Sequence, residues 1–310
     1  MEVRLEGLRV VRAGRLVLDV PSLVFAPGTT TAVFGPNGSG KTTLLRAIAG
    51  LDRPATGRVT FAGLEPGRRP IAMAFQRPVF TRGTVRENLR LALELWGVAG
   101  AERAARIAAV ARECGIDGLL DRPAHELSGG EAQRASLARV LALDAPVMLL
   151  DEPLSGIDRP ARALLLEDLP ALVSRDATTT ILVTHDRDEA FRVADHLVVL
   201  AGGRVRAAGP KDALYAAPPD AETATLLGYT VVEVAGKQSA VEAGSVTIAA
   251  EGPADIVMTV EQILDMGGHA LVAGRAGGAR IEVPVPRGCP VPRPGASVPL
   301  TISRRVPLPP

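Results

Sequence analysis

Charge imbalance, cysteine and aromatic side chains are all scarce in this 310-residue chain. Its formal net charge is only +1, from 35 Lys and Arg against 34 Asp and Glu. That argues against the strongly basic face on which nucleic-acid binding usually rests, while leaving room for a local basic patch. The two cysteines, Cys114 and Cys289, are far apart, which excludes a disulfide framework and a cysteine metal cluster. Each reads as a small buried hydrophobe, and together they suit a reducing compartment such as the cytoplasm. Aromatics make up 3% of the chain against 47% hydrophobic residues, so the core is built from Ala, Leu and Val. No apolar run reaches the length of a membrane span. Glu2, Arg4, Glu6, Arg9 and Arg12 break any apolar signal segment at the start. Membrane work would therefore fall to another chain. No internal repeat is visible.

What is present alternates between two periods. Residues 1 to about 34 read as strands: Val3–Val10, a turn at Arg12–Arg15, Leu16–Val24, and the β-branched Thr29–Phe34. Thr42–Ala49 reads as a helix stopped by Gly50. Residues 84–114 are helix-rich, with Thr84 and Glu87 spaced as a capping box. Ser128 reads as the cap of another helix. Val147–Leu150, Ile181–Thr184 and Leu197–Leu200 are short apolar runs that fit buried parallel strands. The alternation predicts an α/β fold with a largely parallel sheet. After about residue 215 the pattern changes. Ala216-Ala217-Pro218-Pro219 reads as a linker, and glycine-punctuated strands follow, with a hairpin signal at Gly277-Gly278 and a last strand at Val298–Ser303. The tail Pro307–Pro310 is expected to be disordered.

The most specific chemistry sits at Gly35-Pro36-Asn37-Gly38-Ser39-Gly40-Lys41-Thr42. A polyphosphate carries several charges and is held well by backbone N–H groups at a helix N-terminus. Glycines let the backbone approach it, a lysine reaches the β- and γ-phosphates, and a hydroxyl reaches Mg²⁺. Lys41, Thr42 and the adjoining Thr43 fill these places, between a β-branched strand and a helix. Asp151 ends the apolar run Val147–Leu150, where a carboxylate also reaches Mg²⁺. Ser128-Gly129-Gly130 forms a second small-residue turn at a helix start, again suited to an anion. A second such turn suggests a second molecule.

The phosphate loop, Leu127-Ser128-Gly129-Gly130-Glu131, Val147–Glu152 and His185, in this order and spacing, resemble the ATPase subunit of an ABC transporter. The resemblance covers residues 1–228, with a helical subdomain over about 77–145. It implies a P-loop nucleotide hydrolase cassette with a mixed sheet. It also implies roles: Glu152 as general base, His185 as the switch histidine on the γ-phosphate, Gln76 as a Mg²⁺ ligand that senses the membrane partner. Ser155-Gly156-Ile157-Asp158 resembles the segment that crosses to a second cassette, with Ile157 in place of the commoner leucine. The family's adenine-stacking aromatic has no counterpart before Phe25; Arg12, or its neighbour Val11, stands there. A guanidinium stacks on a π face, so Arg12 is a candidate base contact.

Several further expectations follow from the resemblance. ATP and Mg²⁺ are the cofactors. Two copies pair head to tail, each signature turn closing on the other's ATP. Transmembrane permease subunits are the partners, with an extracytoplasmic solute-binding protein in the same system, and no nucleic acid. The chain would sit peripherally on the cytoplasmic face of the membrane. Gly83-Thr84-Val85-Arg86-Glu87-Asn88 is similar to a segment of importers, and Phe80–Val85 with Gly130–Arg134 is similar to tungstate- or molybdate-type cassettes. Residues 229–310 resemble the small OB-like β-barrel domain appended to importer ATPases, which serves dimer packing or senses a ligand. Alternatives are a soluble ABC ATPase of DNA repair or translation, which usually carries two cassettes or long insertions, and an exporter ATPase.

Overall fold

The structure, a computed structural model, describes residues 1–64, 70–174, 178–242, 244–249 and 254–309. The chain divides into two compact units, Met1–Lys211 and Asp212–Pro310. The division precedes the composition-based boundary at 228.

In the first unit, β1 (Val3–Arg12) and β2 (Arg15–Phe25) form a hairpin, and β3 (Thr30–Phe34) leads into the phosphate loop and α1 (Lys41–Ala49). Next come β4 (Thr56–Phe61), β5 (Ile71–Ala74), α2 (Val85–Leu95), α3 (Gly100–Glu113) and α4 (Gly129–Ala142). The unit closes with β6 (Val147–Asp151), α5 (Arg159–Val173), β7 (Thr179–Thr184), α6 (Arg187–Val193), β8 (His196–Ala201) and β9 (Arg204–Pro210). All nine strands join one sheet in the order β4-β1-β2-β9-β8-β3-β7-β6-β5. The run β8-β3-β7-β6-β5 is parallel, whereas β1 pairs antiparallel with β2 and β4, and β9 antiparallel with β8. The sheet is thus mixed rather than largely parallel. The hairpin β1–β2 is the cause: adjacent strands joined by a tight turn must run in opposite directions.

Strands β3, β6 and β7 are buried along their whole length, as parallel strands covered on both faces must be. Thr178, just before β7, and Thr179, Thr180 and Thr184 within it are buried, without a polar penalty at the bonded ones. Thr178, Thr180 and Thr179 donate to the carbonyls of Ala145, Val173 and Met1. Leu44, Leu45 and Ile48 of α1 lock its inner face against the core around Phe25, Val33, Leu149 and Ile181. Full burial of each such side chain is worth roughly 1.5–3 kcal/mol. That core fixes where β3, β6 and β7 end, and all three ends carry site residues.

The second unit opens with α7 (Lys211–Ala216) and α8 (Ala221–Leu226). The linker expected at 216–219 is only the short joint between these helices. Tyr215 of α7 donates to Glu242, and Tyr229 donates to the carbonyl of Tyr215. These bonds attach α7 to the β structure that follows. The strands are β10 (Tyr229–Val234), β11 (Lys237–Glu242), β12 (Val246–Ile248), β13 (Ile256–Asp265), β14 (His269–Ala276), β15 (Ala279–Pro286), β16 (Ser297–Ile302) and β17 (Arg305–Pro307). They form two sheets, β10-β11-β17 and β12-β16-β13-β14-β15, an all-β, OB-like arrangement over a core of Val232, Met258, Val272, Ile281 and Leu300. Alternating burial along β15 and β16 marks half-buried strands.

Three expectations are corrected here. The run Gly274–Gly278 reads in the sequence as a turn between strands, but Gly274 lies inside β14, where glycine is needed because a Cβ would stand 2.2 Å from the carbonyl oxygen of Thr259. The tail is ordered through Pro309: β17 pairs with β11, Leu308 donates to Gln238 and is buried. Proline is tolerated because β17 is an edge strand; Pro310 lies outside the described residues. Cys114 is buried as expected, but Cys289 is exposed, in the turn that follows β15. No helix among the described residues is long and apolar enough to cross a membrane.

Candidate functional site

The loop between β3 and α1 wraps a helix N-terminus. Lys41, Thr42 and Thr43 are the first three residues of α1, and their N–H groups have no partner within the helix by position. Gly40 caps the helix in the left-handed region at φ 102°, with no side-chain cap to compete for those groups. Gly35 is fixed by packing: a Cβ there would stand 2.0 Å from the carbonyl oxygen of Leu200 on β8. The Ser39 carbonyl accepts from Gly203 N–H, so the β8–β9 turn supports the loop from behind. Lys41 Nζ donates to the carbonyls of Gly35 and Pro36, at 2.8 and 2.9 Å. Burial lowers its pKa, and the carboxylates of Glu152 and Asp151 offset part of that.

Around this loop stands a cavity of about 240 Å³, lined by Arg12, Val17, Asn37, Gly38, Gly40, Lys41, Thr42, Thr43 and Glu152. Thr42 Oγ1 donates to Asp151 Oδ1 at 3.0 Å. Desolvation raises the Asp151 carboxyl above its ordinary value; the Thr42 bond pulls the other way. Glu152 is the hub of the polar side chains. Gln76 Nε2 donates to Glu152 Oε2 at 2.7 Å, and His185 Nδ1 lies 3.2 Å from Glu152 Oε1. Consecutive strand residues normally face opposite ways. Glu152 escapes this rule by turning left-handed, φ 47°, at the end of β6. Its N–H donates to Val183, and its carbonyl accepts from Ser155 N–H and from Gln133 Nε2. Those bonds hold a backbone conformation that costs a non-glycine residue about 1–2 kcal/mol.

The donor atoms fit Mg²⁺. Thr42 offers a hydroxyl, Asp151 a carboxylate and Gln76 an amide oxygen, all hard ligands. No cluster of three or more His, Cys, Asp or Glu suited to a metal occurs among the described residues.

Arg12 lines the cavity and pairs with Asp52, which also holds Arg46 at 3.1 Å. Ser128, Gly129 and Gly130 do not line it. Ser128 caps α4 in a reciprocal box with Glu131, and a Cβ at Gly129 would lie 3.1 Å from the carbonyl oxygen of Gly156. The signature turn therefore packs on its own chain's 155–158 segment. Asp158 caps α5 by accepting from Ala161 N–H.

Two contributors lie in segments quoted from the sequence but have no assigned role there. Gln133, buried in α4, donates to the carbonyls of Gln76 and Glu152 and so fastens the two loops together. Asn88 accepts from Thr81 N–H and Oγ1 and donates to the carbonyls of Thr81 and Thr84. It anchors the segment that follows Gln76, next to the Thr84–Glu87 capping box. The signal was a polar residue on a helix's apolar face, which becomes readable only once that face is known.

A family profile described as ABC transporter matches residues 18–155. The Fe(3+) ions import ATP-binding protein FbpC of Streptomyces coelicolor is 38% identical over 80% of this chain and 74% of that protein. The sulfate/thiosulfate import ATP-binding protein CysA of Mycobacterium tuberculosis is 41% identical over 69% of this chain and 62% of its own length. A solved ATP-binding subunit of an ABC transporter matches with a TM-score of 0.62 at 30% identity, over 69% of this chain and 92% of that one. A dimeric ATP-binding cassette in a post-hydrolysis state with ADP and Pi matches with a TM-score of 0.60 at 27% identity, over 67% of this chain and 98% of that one. The chain therefore belongs to the ABC transporter ATP-binding proteins and is an ABC ATPase.

Proposed function

We propose that this ATPase powers solute import through partner permease subunits. One observation carries the reading: Thr42, Asp151, Gln76, Glu152 and His185 converge at the phosphate loop, while Ser128, Gly129 and Gly130 stay outside its cavity. A site complete but for one anion-binding turn is closed by that turn from a second copy. The N–H groups of α1 and the Lys41 ammonium bind the β- and γ-phosphates. Thr42, Asp151 and Gln76 hold Mg²⁺, which when bound neutralises charge on the phosphate oxygens. Glu152 orients and polarises the attacking water, and Gln76 and His185 keep its carboxylate in place. His185 contacts the γ-phosphate, and Arg12 stacks on the base. Asp158 lies at the face toward the second copy. Positioning and charge stabilisation supply most of the rate enhancement.

The permease contact falls on the segment after Gln76. A groove of about 610 Å³ runs there, lined by Pro78, Phe80, Thr81, Arg82, Gly83, Ala124, His125 and Ala132. Its size and mixed lining suit a helix from a membrane chain, with an extracytoplasmic solute-binding protein delivering cargo on the far side. The chain then sits peripherally at the cytoplasmic face. The relatives' names speak of ferric iron, sulfate or thiosulfate, lactose and sn-glycerol-3-phosphate. These solutes span a metal cation, oxyanions and a neutral sugar, so the cargo is set by the partner chains; an oxyanion such as molybdate or tungstate is the one we favour, from the Phe80–Val85 segment. Residues 229–310 act as the accessory domain.

The test is ATPase activity of the complex reconstituted with its co-purifying membrane chains, against molybdate, tungstate, sulfate, ferric iron and sugars with their binding protein. Stimulation by one solute is expected. Absence of any membrane partner and of any stimulation would overturn import. A Glu152→Gln variant should accumulate as an ATP-bound dimer by size-exclusion chromatography; parental hydrolysis by that variant would remove Glu152 as the base.

A further inference from the structure

One carboxylate beside the nucleotide site has no part in the mechanism above. Glu189, on the first turns of α6, is 3% exposed. Acids are almost never buried so completely unless they are paired. Its Oε2 accepts from Thr184 Oγ1 at 2.9 Å and lies 3.5 Å from Arg162 Nη2. Its Oε1 is buried with no hydrogen-bond partner. Arg162, on α5, is shared: its Nη2 also donates to Asp186 Oδ2 at 2.7 Å. One guanidinium thus faces two carboxylates. Asp186 Oδ1 accepts from the Glu189 N–H, and the Asp186 N–H donates to Thr184 Oγ1 at 3.0 Å. The residues before and after His185 are therefore held by one network, whereas the His185 side chain itself is half exposed.

We propose that Glu189 is a positioning residue for His185: its ionised carboxylate, bonded to Thr184 and paired with Arg162, fixes the 184–186 turn and so sets the histidine against Glu152. The chemistry is directional. Thr184 has one proton, which it gives to Glu189, and its lone pairs receive the Asp186 N–H. Protonated Glu189 presents a donor instead, so the Thr184 bond must reverse or break, and the attraction to Arg162 is lost. The charged or titratable groups facing Glu189 are Arg162 from α5 and Asp186 and His185 from its own turn. Strands β3 and β7, which also pack on α6, contribute no titratable side chain. Burial pushes the Glu189 carboxyl up from 4.5 to about 7, against the pull of Thr184 and Arg162.

This inference rests on the reading of His185 as a γ-phosphate contact, and the experiment separates the two. Steady-state ATPase of the full chain is measured from pH 6 to 8.5 for the parent, Glu189→Gln, Arg162→Gln and His185→Ala. The parent kcat is expected to rise several-fold through a limb near pH 7. Glu189→Gln should be several-fold slower than the parent at pH 8, with that limb gone and the KM for ATP within about twofold of the parent's. A Glu189→Gln variant that keeps both the parental limb and the parental kcat overturns the proposal. Arg162→Gln leaves the acid in place and removes its cation, so its limb should move to higher pH. An unmoved limb overturns the proposal too, even where Glu189→Gln fails to fold. Parental turnover by His185→Ala would instead sink the reading of His185, whatever Glu189 does.

Discussion

Replacing Glu189 by glutamine should stabilise the protein while it slows it. The carboxyl is near 4.5 in an unfolded chain and about 7 in the fold. Folding therefore raises this pKa, and the folded state binds the proton more tightly. The stability that goes with the proton is fully present below pH 4.5 and is lost as pH rises through 7. At ~1.4 kcal/mol per pKa unit, the loss reaches roughly 3 kcal/mol by pH 8. That figure already contains the favourable pull of Arg162. Glutamine matches the protonated acid in shape and never ionises. Its advantage over the parent should be under ~1 kcal/mol at pH 5 and about 3 kcal/mol at pH 8.

Urea unfolding at pH 5, 6.5 and 8 measures this. Trp96 is the one tryptophan of the chain and caps the C-terminus of α2 in the first unit, so its fluorescence follows the unit that holds Glu189. With a slope of about 1–3 kcal/mol per molar, the pH 8 midpoint of Glu189→Gln should exceed the parent's by about 1 M or more. Equal midpoints at pH 8 would mean that the ionised carboxylate is not penalised in the fold. A lower midpoint for the variant would mean that the Arg162 pairing outweighs the desolvation. Either result refutes the reasoning.

Other expected outcomes concern packing and the base contact. Gly35→Ala places a methyl against the Leu200 carbonyl, where backbone on both sides must give way; a loss of about 1–3 kcal/mol and of nucleotide binding is expected, measured by thermal unfolding and by titration with a fluorescent ATP analogue. Arg12→Ala should weaken ATP binding several-fold in the same titration with little change in melting temperature, and an unchanged affinity would remove Arg12 from the base contact. Leu308→Ala should destabilise the second unit by about 2 kcal/mol, since the side chain is buried where β17 closes on β11; an unchanged denaturation profile of that unit would show the tail to be dispensable.

The parts of the site that were legible are those where chemistry dictates residue type at a fixed spacing. A phosphate loop needs glycines, a lysine and a hydroxyl within eight residues, so Gly35–Thr42 announces itself. Strand ends are also legible, because Val147–Leu150 and Thr179–Thr184 are apolar or β-branched up to the residue where polar chemistry begins. The illegible parts depend on what another segment does. Gln133 and Asn88 look like ordinary polar helix residues until the carbonyls of Gln76 and Thr81 are placed beside them. Glu189 follows two other acidic residues at Asp186 and Asp188; only the helical face, with Ala190 and Val193 also buried, singles it out. The tail was misjudged for the same reason. Its prolines argue against a central strand but not against an edge, and an edge exists only once β11 is in position.

Two local costs fall at neighbouring strand ends of the site. Glu152 holds a left-handed conformation at the end of β6, and Glu189 is buried beside the end of β7 with one oxygen unpartnered. The two strands are parallel neighbours, Asp151 opposite Val183, and the Glu152 N–H donates to Val183. Between them the two penalties amount to several kcal/mol, a large part of a typical net stability. At the start of β7, by contrast, Thr179 and Thr180, with Thr178 just before the strand, all donate to backbone carbonyls. Left-handed residues at Ala13, Asp144 and Ala235, and unpartnered buried hydroxyls at Thr31, Ser136 and Thr223, occur elsewhere in the chain. At the strand ends that present Glu152 and His185, the site's geometry is held at the expense of local stability, an exchange of the kind functional sites make. It also accounts for two features together: the general-base candidate is held by several backbone bonds, while the histidine opposite it is held by a carboxylate that changes charge near neutrality.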